Sequence, residues 1–229
     1  PLPLGVTIAE DHVNFSVEAK PSKACKLLLY KKGKNVPEIA FDMTEELGTV
    51  RYLALSGLDT AKYEYNYLID DVVTVDPYAK AVAGKETWGE KRNITNHEIR
   101  GCFPNRDYDW EGDQPLEIPY HQVIAYSLHV RGYTMHNSSK VRKKGTFRGL
   151  IEKLPYLSDL GINQVHLMPV YEFEECLAYC NYWGYGEGYY YAPKSSYAAS
   201  KDAVRELKDT VKAFHKAGIE VVLEMPFTG

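Results

Sequence analysis

Apolar and polar positions alternate along the first hundred residues, which is the pattern of half-buried β-strands. One run places Tyr63, Tyr65 and Tyr67 on a single face and ends in a predicted turn at Asp70 and Asp71. Short strands at this spacing favour a β-sandwich (immunoglobulin-like) over residues 1–103. The predicted strands lie at residues 12–19, 26–30, 50–55 and 62–69, with a further strand ending at residues 41–43.

After residue 120 the pattern becomes an alternation of strands and helices. Pro155 is expected to bend or divide the first helix, and Gly161 and Gly218 are expected to cap the two helices. The alternation predicts an α/β unit with a parallel sheet, whose chemistry collects at the carboxyl ends of the strands. The first strand is nearly continuous in apolar residues, which predicts burial on both faces. The predicted strands are 123–130, 163–170 and 219–224, the predicted helices are 146–161 and 203–217, and the second helix has an apolar stripe of Val204, Leu207, Val211 and Phe214.

Residues 104–119 contain three prolines among acidic and polar residues and show no periodicity. This composition is typical of a connector. We therefore expect a domain boundary there, between a unit at 1–103 and a unit at 120–229.

Composition narrows the function classes. The net charge of −4 and the pI near 6.0 give no basic surface for nucleic acid or for an anionic membrane. No apolar run approaches the roughly 20 residues of a membrane span, and no signal peptide is visible, so a cytoplasmic location is expected. Nineteen tyrosines against seven phenylalanines would suit the flat faces of sugar rings, although sheet packing explains most of them equally well.

The four cysteines are too few for a disulfide framework in 229 residues. Cys176 and Cys180 are close together, but zinc needs further ligands and the nearest histidine, His166, falls in a predicted strand. We expect reduced thiols, no metal and no cofactor.

Ordered motifs along the chain carry a resemblance to two known families. The first part resembles carbohydrate-binding module family 48, and its most specific match is the run from Asp76 to Ala79. The second part resembles the start of the catalytic barrel in glycoside hydrolase family 13, the α-amylase family, most of all its debranching (pullulanase and isoamylase) members. This resemblance implies an incomplete TIM (β/α)8 barrel, about its first three strands. The matching stretches are 3–7, 13–17, 27–30, 63–70 and 75–82 in the first part, and 126–131, 154–163, 167–170, 181–185, 191–193 and 197–198 in the second.

The resemblance also implies residues that bind substrate. Tyr185 matches the tyrosine that stacks under the sugar at subsite −1, and Asn181 and Trp183 belong to the same motif. Glu224 falls where the family has a supporting aspartate at the end of the third strand. Thr228 and Gly229 fall where the family has asparagine and histidine, which predicts a weakened, altered or inactive site.

The same resemblance places the catalytic carboxylates on later strands that this chain does not contain, so no catalytic residue is expected here. Retaining hydrolysis needs two carboxyl groups about 5–5.5 Å apart. Glu172, Glu174 and Glu175 cluster after the second predicted strand and are expected to form a solvated acidic loop. In the first unit, Trp88 and Lys85 could bind a glucan, and the alternative for Trp88 is a contact between domains.

The interpretation is therefore the amino-terminal portion of a glycosidase that hydrolyses α-1,6 branches in glycogen, starch or pullulan by a retaining mechanism, itself inactive. The alternatives are a non-catalytic glucan-binding or structural relative, and an α-glucan branching transferase. The expected partner is an α-glucan or maltooligosaccharide. Self-association through the open edges of the incomplete barrel is also expected.

Overall fold

The computed structural model describes residues 1–20, 24–91, 97–176 and 180–227. The chain divides into two compact units. The first contains Pro1–Lys85, Lys91–Pro104 and Tyr189–Ala192, and the second contains Glu86–Glu90, Asn105–Gly188 and Pro193–Gly229. In the part of the chain that is described, no helix is long and apolar enough to cross a lipid bilayer.

Antiparallel strands build the first unit. The strands are β1 (Gly5–Ile8), β2 (His12–Glu18), β3 (Cys25–Lys31), β4 (Ile39–Asp42), β5 (Glu45–Leu47), β6 (Val50–Ser56), β7 (Tyr63–Ile69), β8 (Val72–Thr74), β9 (Val82–Ala83) and β10 (Arg100–Gly101). They form one sheet of order β1-β2-β6-β5 and a second of order β4-β3-β7-β10-β9, with β8 paired to β7.

Residues of both sheets share one core. Phe15 of β2, Leu27 of β3 and Tyr65 of β7 are buried in the same cluster, because alternate side chains of each strand point to the same side. Tyr63 and Tyr67 join this cluster, which confirms that the three tyrosines share a face. The Tyr65 hydroxyl is satisfied inside the core by a 2.7 Å hydrogen bond that it donates to Asp76.

The turn predicted after β7 is confirmed. Asp70 and Asp71 both have positive φ, 52° and 63°, and they connect β7 to the antiparallel β8. Two consecutive left-handed residues match the right-handed twist of a hairpin, and aspartate tolerates this conformation better than most residues. The sequence pattern missed β1, β5, β8, β9 and β10, which are short.

The second unit is built around a parallel sheet of order β11-β12-β15, which confirms the predicted strand arrangement. Proline divides the first predicted helix as expected, because Pro155 lies in the first turn of α3. Gly161 and Gly218 have φ of 83° and 76° just beyond the two helical regions. The elements of this part of the chain are β11 (Ala125–Leu128), α1 (Val130–Met135), α2 (Phe147–Glu152), α3 (Leu154–Asp159), β12 (Gln164–Leu167), β13 (Tyr171–Phe173), β14 (Gly188–Pro193), α4 (Ala203–Lys216) and β15 (Glu220–Leu223). Four residues of β14, Tyr189–Ala192, belong to the first unit.

Two predictions for this unit are corrected. The first strand is not buried on both faces, since Ala125 and Ser127 are exposed, and it ends before a short helix that begins at Val130. The most buried positions of α4 are Glu206, Thr210 and Phe214 rather than the whole predicted stripe. Glu206 can be buried because its carboxylate pairs with Arg148 and accepts the Ser200 N–H.

The predicted connector at 104–119 belongs, except for Pro104, to the second unit and is fastened to α4. Tyr108 donates a 2.8 Å hydrogen bond to Asp209, and Asp113 contacts His215 at 2.8 Å. Because polar side chains make these contacts, the segment needs no periodic pattern.

Candidate functional site

The three parallel strands end level with one another. Leu128, Leu167 and Leu223 are in register across the sheet, and the Glu224 N–H extends the ladder by donating to the Leu167 carbonyl at 2.9 Å. Side chains alternate between the faces of a strand, so Ser127 and Glu224 share the face opposite to these leucines. The sequence therefore brings polar groups from β11 and from the end of β15 to one edge of the sheet.

Glu224 is the centre of this edge. Its two carboxylate oxygens accept hydrogen bonds from two different segments: the Ser127 hydroxyl donates to Oε1 at 3.1 Å, and the Tyr185 hydroxyl donates to Oε2. The bond to the carboxylate, assisted by partial burial, raises the pKa of Tyr185 to about 12. Glu224 thus holds the Tyr185 hydroxyl in its protonated form and fixes where the ring lies.

Residues 181–186 form a loop, called here the Tyr185 loop, whose backbone accepts and donates hydrogen bonds on two sides. Asn181 Oδ1 accepts the Gly184 N–H at 3.0 Å, and the buried Tyr171 hydroxyl lies 2.8 Å from the Gly184 carbonyl and 2.7 Å from the Gly186 carbonyl. Gly184 has φ of 88°, and a Cβ there would lie 2.4 Å from the Phe173 ring. Only glycine fits, and the loop passes close over Phe173.

Two aromatic side chains of this loop are presented to solvent. Trp183 is 54% exposed and Tyr185 is 46% exposed. Exposed aromatic rings that a loop holds in place offer flat apolar faces with polar edges, a surface suited to sugar rings. The structure therefore brings the predicted residues Asn181, Trp183, Tyr185 and Glu224 together in one region.

His129 supports the loop from below, and the sequence analysis gave it no role. Its Nδ1 accepts the Gly132 N–H at 2.8 Å and caps α1, so the neutral ring carries its proton on Nε2, which donates to the Tyr182 carbonyl at 2.9 Å. The ring also stacks on Tyr182 with centroids 4.6 Å apart. Burial lowers the pKa of His129 below its ordinary value, which keeps the ring neutral.

A buried charge cluster lies where the sequence predicted a solvated acidic loop, and that prediction is wrong for Glu172 and Glu175, whereas Glu174 is half-buried. Glu172 and Glu175 are 0% and 1% exposed, and both pair with the fully buried Lys194, at 3.1 Å and 2.8 Å. The Lys194 ammonium also donates to the Phe173 carbonyl at 2.9 Å. Glu172 and Glu175 are therefore structural anchors of the region, with oxygens already committed to hydrogen bonds.

The two glucan-binding candidates of the predicted sandwich fall in different units, since Lys85 belongs to the first unit and Trp88 does not. Trp88 lies in the second unit, where its ring stacks on Tyr197 at 5.7 Å and meets the cationic groups of Arg131 and Lys194 at 5.0 Å and 5.3 Å. These contacts favour packing over sugar stacking. Lys85 is only 4% exposed, so its side chain is not presented to a ligand at the surface.

The altered motif positions Thr228 and Gly229 cannot be compared with the prediction, because they lie outside the described residues. Within residues 1–20, 24–91, 97–176 and 180–227, no group of three or more histidine, cysteine or acidic side chains is placed to hold a metal ion. Ser127 and Tyr171 were missed by the sequence analysis, and the available signal was their position in or directly after a predicted strand.

Comparison with known proteins assigns this region to a family. The family described as "Alpha amylase, catalytic domain" matches residues 104–227. Isoamylase 1, chloroplastic, of Oryza sativa subsp. japonica is 33% identical over 99% of this chain, and the Glycogen operon protein GlgX homolog of Haemophilus influenzae is 31% identical over 99%. The crystal structure of pullulanase type I from Bacillus subtilis, complexed with maltose, matches 97% of the chain at a TM-score of 0.77 and 28% identity. The chain spans about a third of the length of these proteins: 32%, 38% and 33%.

Proposed function

The chain belongs to the alpha-amylase family, and we propose that it is the amino-terminal part of an enzyme that hydrolyses α-1,6 branches of α-glucans by a retaining mechanism. In this proposal the first unit is an immunoglobulin-like sandwich of carbohydrate-binding module type, and the parallel sheet is the start of a TIM barrel. The names of the relatives support an α-glucan substrate: an isoamylase, a glycogen operon protein and a pullulanase complexed with maltose.

The observation that carries the proposal is the group of Glu224, Tyr185 and Trp183 at the carboxyl ends of parallel strands. In parallel α/β barrels this edge is where substrates bind. We assign Tyr185 to stacking against a glucosyl ring, Trp183 to a neighbouring ring, and Glu224 and Asn181 to positioning. We assign no catalytic carboxylate to this chain, since Glu172 and Glu175 are held by Lys194.

Calorimetric titration of the chain with maltotetraose tests the binding part of this proposal. Tyr185→Ala should weaken binding about tenfold, because one aromatic contact is worth roughly 1.5 kcal/mol. Tyr156→Ala is the matched control, because Tyr156 is a comparably exposed tyrosine (54%) on α3. Equal loss in both variants, or none in Tyr185→Ala, would refute the assigned site.

An assay of reducing sugar released from pullulan tests the catalytic part. The chain alone should release none, and the chain joined to the remaining length of an isoamylase-type barrel should release maltooligosaccharides. Release by the chain alone would overturn the assignment of catalysis to residues outside it. Binding without release in the joined protein would favour the alternative of a glucan-binding relative.

Two further parts of the proposal concern the oligomeric state of the protein and its cellular location. The outer strands of the parallel sheet are β11 and β15, and Ile124, just before β11, and Leu223, in β15, are 57% and 40% exposed. We propose that the chain self-associates through these edges. A monomer in analytical sedimentation would refute this part of the proposal. We also include a cytoplasmic location, although the name of the rice relative places that protein in the chloroplast.

A further inference from the structure

Cys176 and Cys180 lie directly opposite each other in an isolated antiparallel bridge, although no role was found for them in the sequence. Cys180 is exposed and Cys176 is half-buried, and both are thiols. The three residues that join them lie outside the described part of the chain. The pair immediately precedes Asn181, the first residue of the loop that presents Tyr185.

The hydrogen bonds define which kind of antiparallel pair the two cysteines form. The Asn181 N–H donates to the Glu175 carbonyl at 3.0 Å, and these two residues are the outer neighbours of the cysteines. Cys176 and Cys180 are therefore a non-hydrogen-bonded pair. In such pairs the Cα atoms are about 4.5 Å apart, the closest approach that an antiparallel ladder provides.

This spacing is compatible with a disulfide bond. Disulfides span Cα separations of roughly 4.4–6.8 Å and Cβ separations near 3.8 Å. Opposite residues in a ladder have Cβ atoms about 4.5–5.5 Å apart, with non-hydrogen-bonded pairs at the near end. Closing the bond therefore needs an approach of about 1 Å, which two short strand ends can make, and the small strain favours a bond that is readily reduced.

Both sides of the pair are fastened to the site region. The Glu175 carboxylate accepts Lys194 Nζ at 2.8 Å and the Gly89 N–H at 3.1 Å, while Asn181 accepts the Gly184 N–H at 3.0 Å. A bond between Cys176 and Cys180 would tie the start of the Tyr185 loop to the buried Lys194 cluster. The backbone hydrogen bond between Asn181 and Glu175 already joins the two segments at this point.

We propose that Cys176 and Cys180 are a reversible dithiol–disulfide modification site that stiffens the attachment of the Tyr185 loop. The oxidant is a low-molecular-weight disulfide such as oxidised glutathione. The thiolate of the exposed Cys180 attacks one glutathione sulfur and releases a glutathione thiol; the thiolate of Cys176 then attacks the Cys180 sulfur and releases the second. Two cysteine thiols lose two protons and two electrons, and one glutathione disulfide becomes two glutathione thiols.

Equilibration of the chain in mixtures of reduced and oxidised glutathione, followed by alkylation and peptide mass measurement, tests the site directly. The number of alkylated cysteines should fall from four to two. The peptide that contains Cys176 and Cys180 should lose the mass of two hydrogens, and dithiothreitol should restore both. Cys102→Ser, which alters a half-buried thiol of the first unit, should leave this bond unchanged.

Single substitutions separate the proposed bond from other thiol chemistry. In Cys176→Ser, glutathione should remain on Cys180 as a stable mixed disulfide, because the resolving thiol is gone. The proposal is overturned if the unsubstituted chain also keeps glutathione on Cys180 with Cys176 alkylated. It is equally overturned if oxidation joins two chains through Cys180.

The effect on sugar binding rests on the proposed function and has its own readout. Oxidation should change the maltotetraose affinity of the chain by about threefold or more, and Cys102→Ser should respond to oxidation in the same way. If the disulfide forms but no maltotetraose binds in either state, the modification site stands and the proposed function fails. If maltotetraose binds and no disulfide forms, the proposed function stands and the modification site fails.

Discussion

The carboxylates of the segment after β12, Glu172 in β13 and Glu175 just beyond it, and the carboxylate that directly follows β15 end in opposite environments. Glu172 and Glu175 are buried and face the cationic Lys194, whereas Glu224 lies at an open edge and accepts hydrogen bonds from Ser127 and Tyr185. A carboxylate in the segment that follows a parallel strand is therefore not a site by position alone. Its partners decide whether its oxygens are committed to the fold or remain near a surface where a ligand can lie.

The exposed region depends on the buried one. Lys194 and Glu175 hold the backbone that leads into Asn181, and Tyr171 and Asn181 hold the loop that presents Tyr185. The buried region supplies rigidity, and the exposed region supplies the contact surface. Substitutions in the buried region should act on the free energy of unfolding. Substitutions in the exposed region should act on the titration of Tyr185 and on sugar binding, with little change in the free energy of unfolding.

Lys194→Met should have the largest effect. It keeps much of the side-chain volume and removes the charge, which leaves Glu172 and Glu175 buried without a cation. Removal of one partner of a buried pair costs roughly 3–5 kcal/mol. Chemical denaturation with urea should show this loss in the free energy of unfolding of the second unit.

Lys216→Met is the matched control for that loss, because Lys216 lies in the same unit as Lys194. Lys216 pairs with Glu111 at 2.5 Å at the surface, where the side chains are 62% and 50% exposed. An exposed pair contributes little to stability, so the control should unfold close to the unsubstituted chain. Equal losses in the two variants would mean that the buried cluster contributes no more than a surface pair.

His129→Asn should have an intermediate effect on the free energy of unfolding. It tests the packing of a buried ring, whereas Lys194→Met tests a buried ion pair. The ring packs on Tyr182 and caps α1, and asparagine keeps a capping oxygen while it removes the stacked ring. We expect a loss of about 1–2 kcal/mol at neutral pH, in the usual range for a buried substitution. Thermal unfolding at several pH values measures both this loss and the pH dependence.

The sign of that pH dependence follows from the lowered pKa of His129 in the folded chain. Below about pH 6.5 the unfolded chain binds a proton at this position before the folded chain does. Stability from this group is therefore complete above that pH and falls as the pH drops below it. His129→Asn should remove this part of the dependence of stability on pH. An unchanged dependence would show that the pKa of His129 does not rise on unfolding.

The sequence predicted the regular elements of both units well and the site only in part. The long alternating strands became β2, β3, β6 and β7, and the strand–helix alternation became a parallel sheet, because each has a periodicity that one buried face imposes. Short strands such as β13 have too few residues to show a period.

The burial of Lys194 could not be predicted for a different reason. A lysine followed by two serines is typical of an exposed segment, and only the fold brings it against Glu172 and Glu175, which lie 22 and 19 positions earlier. The motif at 181–185 located the exposed loop, and the resemblance located Glu224, which accepts the Tyr185 hydroxyl. Ser127 and Tyr171 could be placed only in or directly after a predicted strand, and their contacts, like those of His129, appear only in the fold.

Glu224→Gln should have the smallest effect on stability and the clearest effect on titration. The pair with Tyr185 is partly exposed, so its loss should cost less than about 1 kcal/mol. The neutral amide no longer favours the protonated phenol, and the pKa of Tyr185 should fall from about 12 towards the ordinary value near 10. In the unsubstituted chain the group stabilises the fold fully below about pH 10 and loses this contribution as the pH rises through about 12, so Glu224→Gln should also flatten stability in that window. NMR titration of ring-labelled tyrosine measures the shift, with Tyr185→Phe to identify the signal. A Tyr185 pKa that stays near 12 in Glu224→Gln would mean that burial, rather than the carboxylate, sets this pKa. Burial would then decide the properties of the exposed region as it does those of the buried region.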